Sequence, residues 1–249
     1  MASANYDIVG QYYSELRLPD PRIAKIIHAQ LEDAKSIVNI GAGTGLYEPI
    51  GKKITAVEPS EKMIMQRAKK KNTTIFRASA ENLPFESNSY DAALAILTIH
   101  HWADWKKGLQ EALRVSKSKV VLFTWVGMLE RFWLFDYFPE IESVDKDLFP
   151  PLEQLSSVLG DIDVKSVPIP ADCADGFLCA YWSRPESYLN AKIRSAISTF
   201  SRISNLENGI KKLSQDLETG KWINKYGYLQ KLHDFDFGYR LVVANKQNA

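Results

Sequence analysis

Two short apolar runs joined by a glycine turn constrain the fold of this chain most strongly. The run at 37–40 is followed by Gly41, Gly43 and Gly45, and the next apolar run ends in Glu58. Glycine lets the backbone come close to a ligand, because no Cβ is in the way. An acid at the tip of the second strand can accept hydrogen bonds from two ribose hydroxyls. The order strand, glycine turn, helix, strand and acid therefore predicts a nucleotide-type site.

The spacing of the glycines indicates which ligand the turn serves. A dinucleotide-binding turn has the pattern G-x-G-x-x-G, but this chain has G-x-G-x-G, with Leu46 where the third glycine would stand. The spacing disfavours a nicotinamide dinucleotide. A tight turn between strand and helix that binds no ligand also accounts for the glycines.

Short apolar runs alternate with helical segments over residues 36–126, which indicates a parallel sheet with helices on both faces. Ser60 and Asp104 are candidate N-caps for two of the helices. Strands are predicted near 36–41, 53–57, 74–78, 90–96 and 118–126, and helices near 44–50, 60–71 and 104–116. Further on, a short helix at 152–159 is followed by a strand near 162–168, and a mainly helical segment at 186–219 is followed by a last strand at 238–244.

Three further motifs follow the glycine turn in order: A-E-x-L-P-F within 78–85, Y-D at 90–91, and H-H-W at 100–102. In this combination the chain resembles the class I S-adenosylmethionine-dependent methyltransferases, in their small-molecule branch. Tyr13 and Arg17 are similar to a Y-x-x-x-R pattern of that branch, and 175–186 is similar to its D-G-F-x-x-A-Y-W-x-R-P-E segment.

The resemblance, with the seven predicted strands, gives the expected architecture. It is an α/β fold with a Rossmann-like, doubly wound, mostly parallel seven-stranded sheet and a helical cap inserted before the last strand. We expect an N-terminal helical segment at 1–35, a core at 36–170, a cap at 171–235 and a final strand and tail at 236–249. The cap should pack over the carboxyl edge of the sheet, where α/β folds bind ligands.

The resemblance implies S-adenosylmethionine as cofactor. Met63 would pack on the adenine, Glu58 would take the ribose hydroxyls, and Arg17 would lie near the carboxylate of the donor. Ser79 stands where the family usually has Asp, and its hydroxyl is a weaker acceptor for the adenine amino group. The implied cofactor-binding residues are Tyr13, Arg17, Gly41, Ala42, Gly43, Thr44, Gly45, Glu58, Pro59, Ser60, Met63, Ser79, Ala80, Glu81, Ala95 and Ile96.

His100 and His101 follow the fourth strand, at the edge of the sheet that binds ligands, so either is a candidate base near neutral pH. Both are equally compatible with a structural role. The resemblance of the segment 175–186 implies contacts to the cap and to the acceptor, and aromatic walls with a few polar groups are usual in small-molecule pockets. The candidate acceptor residues are Phe177, Tyr181, Trp182 and Arg184, and each is equally compatible with a plain packing role.

Charge and composition exclude several classes of protein. Lys and Arg total 31 against 30 Asp and Glu, which argues against nucleic acid as a partner. Cys173 and Cys179 are too few for a disulfide scaffold or a zinc site, and no metal site is predicted. No apolar window approaches the roughly 18 residues that would predict membrane insertion, and no secretory signal is visible, so we expect a cytoplasmic protein. The sequence does not indicate an oligomeric state.

These observations predict methyl transfer from S-adenosylmethionine to a small organic acceptor at oxygen, nitrogen or carbon, by in-line displacement. Such a reaction mainly requires orientation of the reactants, so the lack of a metal cluster or triad is no argument against an enzyme. A non-catalytic protein that binds the same ligand on the same fold is the main alternative, and a nicotinamide-dependent oxidoreductase is the weaker one.

Overall fold

The computed structural model describes residues 13–67, 72–127 and 131–246. The strands are β1 (Ser36–Ile40), β2 (Lys53–Val57), β3 (Thr73–Phe76), β4 (Tyr90–Ile96), β5 (Ser116–Trp125), β6 (Ile162–Ser166), β7 (Ile169–Pro170), β8 (Asp234–Phe235) and β9 (Tyr239–Asn245). The centre of the molecule is a seven-stranded sheet in the order β3-β2-β1-β4-β5-β9-β6, with a separate two-stranded sheet of β7 and β8. Strands β1 to β5 run parallel, and β9 lies antiparallel between β5 and β6.

The helices are short and lie between and around the strands. The α-helices are α1 (Tyr13–Leu16), α2 (Pro21–Ala29), α3 (Glu61–Gln66), α4 (Trp105–Val115), α5 (Glu140–Leu148), α6 (Leu152–Leu159), α7 (Ala191–Ser195), α8 (Leu206–Glu218) and α9 (Lys221–Tyr226). The 3₁₀ turns span Ile99–His101, Trp133–Asp136, Leu178–Tyr181, Pro185–Leu189, Ser198–Arg202 and Gly227–Lys231.

Alternate side chains of each central strand enter different apolar clusters on the two faces of the sheet. On β4, Leu94 packs in one cluster, while Ala93 and Ala95 pack in the other. This is the period-two alternation expected of a strand that is buried on both faces. The first cluster also contains α2 and most of the aromatic side chains, and the second contains α4 and α6.

The segment 131–138, rich in aromatic residues, is part of the core. Phe132, Trp133 and Phe135 are all buried, and Trp133 packs edge-on against Tyr188 and Trp222 of the cap. The cap therefore has two sources in the chain: the connection between β5 and β6 contributes to it as well as the segment before β9. The sequence predicted only the second source.

The helix predicted at 44–50 does not form, and this prediction is wrong. Residues 44–50 form turns instead. Gly45 and Tyr47 have φ angles of +83° and +59°, in the left-handed region that a right-handed helix cannot contain. Pro49 also lacks the N–H that a helix needs at that position. The glycine turn thus has no helix N-terminus behind it, and β1 is joined to β2 by irregular chain.

The other predicted elements agree with the structure to within a few residues at most boundaries. Ser60 caps α3 by accepting from the Met63 N–H, and Asp104 caps α4 by accepting from the Lys107 N–H. The segment 186–219 is mainly helical, as predicted, and consists of two 3₁₀ turns, α7 and α8. In the part of the chain that the structure describes, no helix is long and apolar enough to cross a bilayer.

Candidate functional site

A deep cleft of about 1190 Å³ opens at the carboxyl edge of β1, β2 and β4. Most of the predicted cofactor-binding residues line it. They are Arg17, Gly41, Ala42, Gly43, Thr44, Glu58, Pro59, Ser60, Met63, Ser79, Ala80, Glu81 and Ile96. The volume exceeds the roughly 300–1,000 Å³ of an ordinary ligand pocket, so the cleft has room for more than one small molecule.

Glu58 is the anchor of the cleft. One carboxylate oxygen accepts from the Gly43 N–H at 2.8 Å and the other from the Ser60 N–H at 2.9 Å. Burial raises the pKa of Glu58 above its usual value, although both N–H groups and the Arg67 cation oppose that shift. Each oxygen can accept a further hydrogen bond, so the carboxylate is fixed in place and can still bind two hydroxyls.

The three glycines of the turn differ in what a Cβ at each position would contact. A Cβ on Gly41 would lie 2.0 Å from the Thr98 hydroxyl, and one on Gly45 would lie 2.8 Å from the Arg67 guanidinium. A Cβ on Gly43 would meet the Met63 methyl at an ordinary 3.5 Å. Close protein packing therefore requires Gly41 and Gly45.

Two predicted cofactor-binding residues do not line the cleft, and a third falls outside the part of the structure that is described. Gly45 is outside the lining of the cleft, over the buried ion pair of Arg67 with Glu48. Ala95 points into the second apolar cluster, because alternate strand residues face opposite sides of the sheet. The side chain of Tyr13 lies outside the described residues.

Arg17 lines the cleft, but its partner is a side chain of the cap. Its Nε donates to the Asp175 carboxylate at 2.5 Å, and Asp175 also accepts from the Tyr47 hydroxyl at 2.9 Å. Asp175 is fully buried, and the adjacent Gly176 leaves no room for a Cβ beside the Leu16 carbonyl. This contact fixes the end of α1 against the cap. Asp175 belongs to the D-G-F segment, but the sequence did not predict a role for it and instead indicated Phe177, Tyr181, Trp182 and Arg184.

Several buried polar atoms of the cleft have no hydrogen-bond partner among the described residues. They are Asn39 Oδ1, Thr44 Oγ1 and Trp102 Nε1. Buried polar atoms are nearly always paired, so unmet donors and acceptors around a concave surface indicate a polar ligand. Asn39 could have been noticed in the sequence as the one amide inside an apolar strand. A polar nucleoside with an amino-acid tail fits this donor and acceptor set.

His100 and His101 lie in the 3₁₀ turn after β4, with their ring centroids 3.8 Å apart. His101 lines the cleft, and both line a second, smaller cavity. Burial, followed by the Arg202 and Arg17 cations, lowers the pKa of His101 to about 3. Burial and the same cations, with His101, also hold the pKa of His100 well below its usual value. Both rings are neutral at pH 7 and weak as bases.

Of the four predicted acceptor-pocket residues, only Phe177 lines the second cavity. Trp182 is completely buried and donates through its indole N–H to the Ile169 carbonyl at 3.0 Å. Arg184 lies over the Tyr181 ring and donates to the Cys173 and Ala180 carbonyls at 2.8 Å. Tyr181, Trp182 and Arg184 are absent from the lining of both cavities, and these contacts join parts of the cap to one another and to the chain before it.

Comparison with known proteins agrees with this geometry. A family model described as a methyltransferase domain matches residues 38–124. A crystal structure from Anabaena variabilis ATCC 29413, titled as a candidate methyltransferase from an antibiotic biosynthesis pathway, is 36% identical. The match covers 92% of this chain and 98% of that one, with a TM-score of 0.86. The chain belongs to the class I S-adenosylmethionine-dependent methyltransferases. The predicted family, fold and cofactor are thereby confirmed.

More distant relatives of this methyltransferase act on different acceptors, according to their names. The tRNA (carboxymethyluridine(34)-5-O)-methyltransferase alkbh8 of Xenopus tropicalis is 26% identical over 48% of this chain and 20% of its own length. The chloroplastic 2-methyl-6-phytyl-1,4-hydroquinone methyltransferase of Spinacia oleracea is 31% identical over 47% of this chain and 36% of its own. The chain thus spans well under half of the length of these two curated relatives.

Proposed function

We propose that this protein transfers a methyl group from S-adenosylmethionine to a small organic acceptor. The observation that carries the proposal is Glu58, fixed between the Gly43 and Ser60 N–H groups with a free lone pair on each oxygen. When bound, the cofactor supplies an electrophilic methyl group on a positively charged sulfur. Glu58 would bind the ribose hydroxyls, Met63 and Ala80 the adenine, and Gly43 and Thr44 the amino-acid half.

The chain's own contribution to the reaction is orientation. The cleft holds the donor along the carboxyl edge of β1, β2 and β4, and the second cavity meets it at Leu97 and His101. Leu97 has a φ of +46°, a strained conformation for a residue other than glycine. Such strain is maintained only where the surrounding structure enforces it, here at the junction of the two cavities. An acceptor held at this junction would face the methyl carbon.

We propose that the acceptor is a small molecule and not a nucleic acid. The nearly balanced charge of the chain supports it, since binding to phosphates needs a basic excess. The small volume of the second cavity, about 60 Å³, also supports an acceptor group of few atoms. Because named relatives methylate tRNA, tRNA belongs in the acceptor screen. A cytoplasmic location and a role in small-molecule metabolism stay predictions.

Calorimetric titration of Glu58→Gln tests the donor site. Glutamine can accept at only one end, and its NH₂ group would face the N–H of Gly43 or Ser60. Hydrogen bonds to charged groups contribute about 1.5–3 kcal/mol, so we expect S-adenosylhomocysteine to bind at least about tenfold more weakly. Glu86→Gln, an exposed substitution away from the cleft, should bind like the wild type.

Three outcomes would separate the alternatives. Binding of the donor and its product but not of NAD, with loss of affinity in Glu58→Gln, supports the methyltransferase site. Equal affinity of wild type and Glu58→Gln would refute the assignment of Glu58. Tight donor binding without methyl transfer to any tested class of acceptor, small molecules and tRNA included, would favour the non-catalytic alternative.

A further inference from the structure

The second cavity lies between the end of β4 and the cap and contains a buried acid that the proposed donor site does not use. Arg17, Leu97 and His101 line both this cavity and the cleft, so the two spaces adjoin. Aromatic side chains, among them Trp125, Phe149, Phe177 and Tyr239, form much of its wall, and polar residues such as Thr199 form the rest. A water molecule requires about 10–15 Å³ of such a space, so about 60 Å³ admits a group of only a few non-hydrogen atoms.

The buried acid is Asp145 of α5, whose residue surface is 4% exposed. Its Oδ1 accepts from the Thr199 hydroxyl at 3.0 Å. Its Oδ2 has no hydrogen-bond partner among the described residues. A buried carboxylate ordinarily has partners at both oxygens, because removing its charge from water is costly unless it is paired. Oδ2 is therefore a hydrogen-bond acceptor with unmet capacity in the wall of the cavity.

None of the other described polar groups around the cavity supplies a hydrogen bond to Asp145 Oδ2. His100 Nδ1 is also buried without a partner in the described part of the chain. The Arg17 charge is paired with Asp175, and the Arg202 cation acts on Asp145 from the neighbouring 3₁₀ turn. The Cys179 thiol and the Tyr239 phenol face Asp145 as well, and burial keeps the pKa of each well above its usual value, so both stay protonated.

We propose that Asp145 takes the proton of the methyl acceptor, and that the acceptor presents a neutral O–H or N–H group to the second cavity. This inference rests on the proposed methyltransferase function. The lone pair of the acceptor oxygen or nitrogen forms the bond to the methyl carbon, and the bond between that carbon and sulfur breaks. The proton of the acceptor goes to Asp145 Oδ2, and S-adenosylhomocysteine leaves. A carboxylate acceptor has no proton to give and would face the Asp145 charge.

The ionisation of Asp145 suits this role. Burial raises its pKa to about 7, although the Thr199 hydrogen bond and the Arg202 cation oppose the shift. A base is most effective when its pKa lies near the working pH. His101, with its pKa lowered to about 3, remains neutral over the same range. Asp145 is thus the one group in the described lining of the cavity whose charge changes near pH 7.

Binding of phenol, aniline, benzoate and toluene to the protein saturated with S-adenosylhomocysteine tests the inference. Phenol and aniline carry the two kinds of X–H group, benzoate carries a charge, and toluene carries neither. We expect phenol or aniline, or both, to bind at least about tenfold more tightly than benzoate and toluene. Affinity should increase severalfold between pH 6 and pH 8, because the fraction of ionised Asp145 increases over that interval.

Variants on α5 separate Asp145 from its surroundings. Asp145→Asn should abolish the pH dependence and most of the preference for X–H probes, while the affinity for S-adenosylhomocysteine changes less than twofold. Asp147→Asn, an exposed substitution two residues along the same helix, should behave like the wild type. Thr199→Val keeps the carboxyl group but removes a hydrogen bond that lowers its pKa, so the pH midpoint should move upward.

The outcomes distinguish this inference from the proposed function. If the wild type fails to bind S-adenosylhomocysteine, the donor site itself is refuted. If it binds and the preference for X–H probes is absent, or persists unchanged in Asp145→Asn, the role of Asp145 is wrong. Should Asp145→Asn fail to fold, a midpoint in Thr199→Val equal to that of the wild type would overturn the role in the same way.

Discussion

At the scale of single residues, a glycine of the turn can be required by protein packing as well as by ligand binding. Gly41 has a φ of +65°, and a Cβ would lie 2.0 Å from the Thr98 hydroxyl. Gly51 has a φ of +85°, and nothing lies within 4 Å of its Cβ position. The two positions therefore differ in available space while both require a left-handed backbone.

We predict that Gly41→Ala is more destabilising than Gly51→Ala. A left-handed backbone costs about 1–2 kcal/mol for alanine at either position, and the overlap with Thr98 adds about 1–3 kcal/mol at Gly41. Urea unfolding of both variants measures the difference, and Thr98→Ala in the Gly41→Ala background should recover part of it. Equal losses in the two variants would show that the turn relaxes around the new methyl group.

Site residues could be predicted from the sequence where a suitable residue type stands at the end of a predicted strand or in the glycine turn. Glu58 follows from its place at the end of β2, and Gly43 from its place in the turn. Asp175, Asp145 and Thr199 could not be predicted, because their roles depend on cap segments brought together from distant parts of the chain. Tyr181, Trp182 and Arg184 show the converse: aromatic and basic residues typical of a pocket are used to hold the cap together.

At the scale of elements, α2 is connected to the cap through the residue that caps its N-terminus. Asp20 is fully buried, and it accepts from the Arg22 N–H at 2.9 Å and the Ala174 N–H at 3.0 Å. Burial alone would raise the pKa of Asp20, but the Arg22 side chain and these two N–H groups lower it from 3.8 to about 2. The carboxylate thus joins α2, whose apolar side chains pack in the first apolar cluster, to a loop of the cap.

This pairing predicts a loss of stability in acid. Because the pKa is lower in the folded state, the stabilisation is present above about pH 4 and is lost as the pH falls through about 2. A shift of this size corresponds to at most about 2.5 kcal/mol. Urea unfolding of wild type and Asp20→Asn should show a clear difference at pH 6 that shrinks at pH 2.5.

Asp161→Asn, at an exposed position, is the control for Asp20→Asn and should match the wild type at both values of pH. A gap between wild type and Asp20→Asn that stays constant with pH would show that the carboxylate acts only as a neutral cap.

The elements also show where local pattern is insufficient. The seven main strands follow from apolar runs of ordinary strand length, and Ser60 and Asp104 mark helix starts correctly. The helix expected at 44–50 fails because left-handed residues at Gly45 and Tyr47 interrupt it. Tyr47 adopts this conformation with its hydroxyl on Asp175, a contact 128 residues away in the chain. No local signal carries such information.

At the scale of the whole molecule, the sheet and the cap share one apolar cluster. Ile37 and Leu94 of the sheet belong to it, together with Trp133, Trp182 and Trp222 around the cap. The Trp133 indole N–H donates to the Trp182 carbonyl at 2.8 Å, which joins the two segments of chain that form the cap. The cap buries its aromatic side chains against the sheet, so the separate core and cap expected from the sequence have no separate apolar interiors.

We therefore predict that sheet and cap unfold in one transition, despite a length of 249 residues at which intermediates are common. In urea, tryptophan fluorescence, to which the cap contributes Trp133, Trp182 and Trp222 of the six indoles, and far-ultraviolet circular dichroism, which reports on the strands and helices, should give the same midpoint. Ile37→Ala in the sheet and Trp222→Ala in the cap should each cost about 2–5 kcal/mol and lower both midpoints together. A fluorescence midpoint that moves alone in Trp222→Ala would mean that the cap unfolds independently, with the shared cluster too weak to couple it to the sheet.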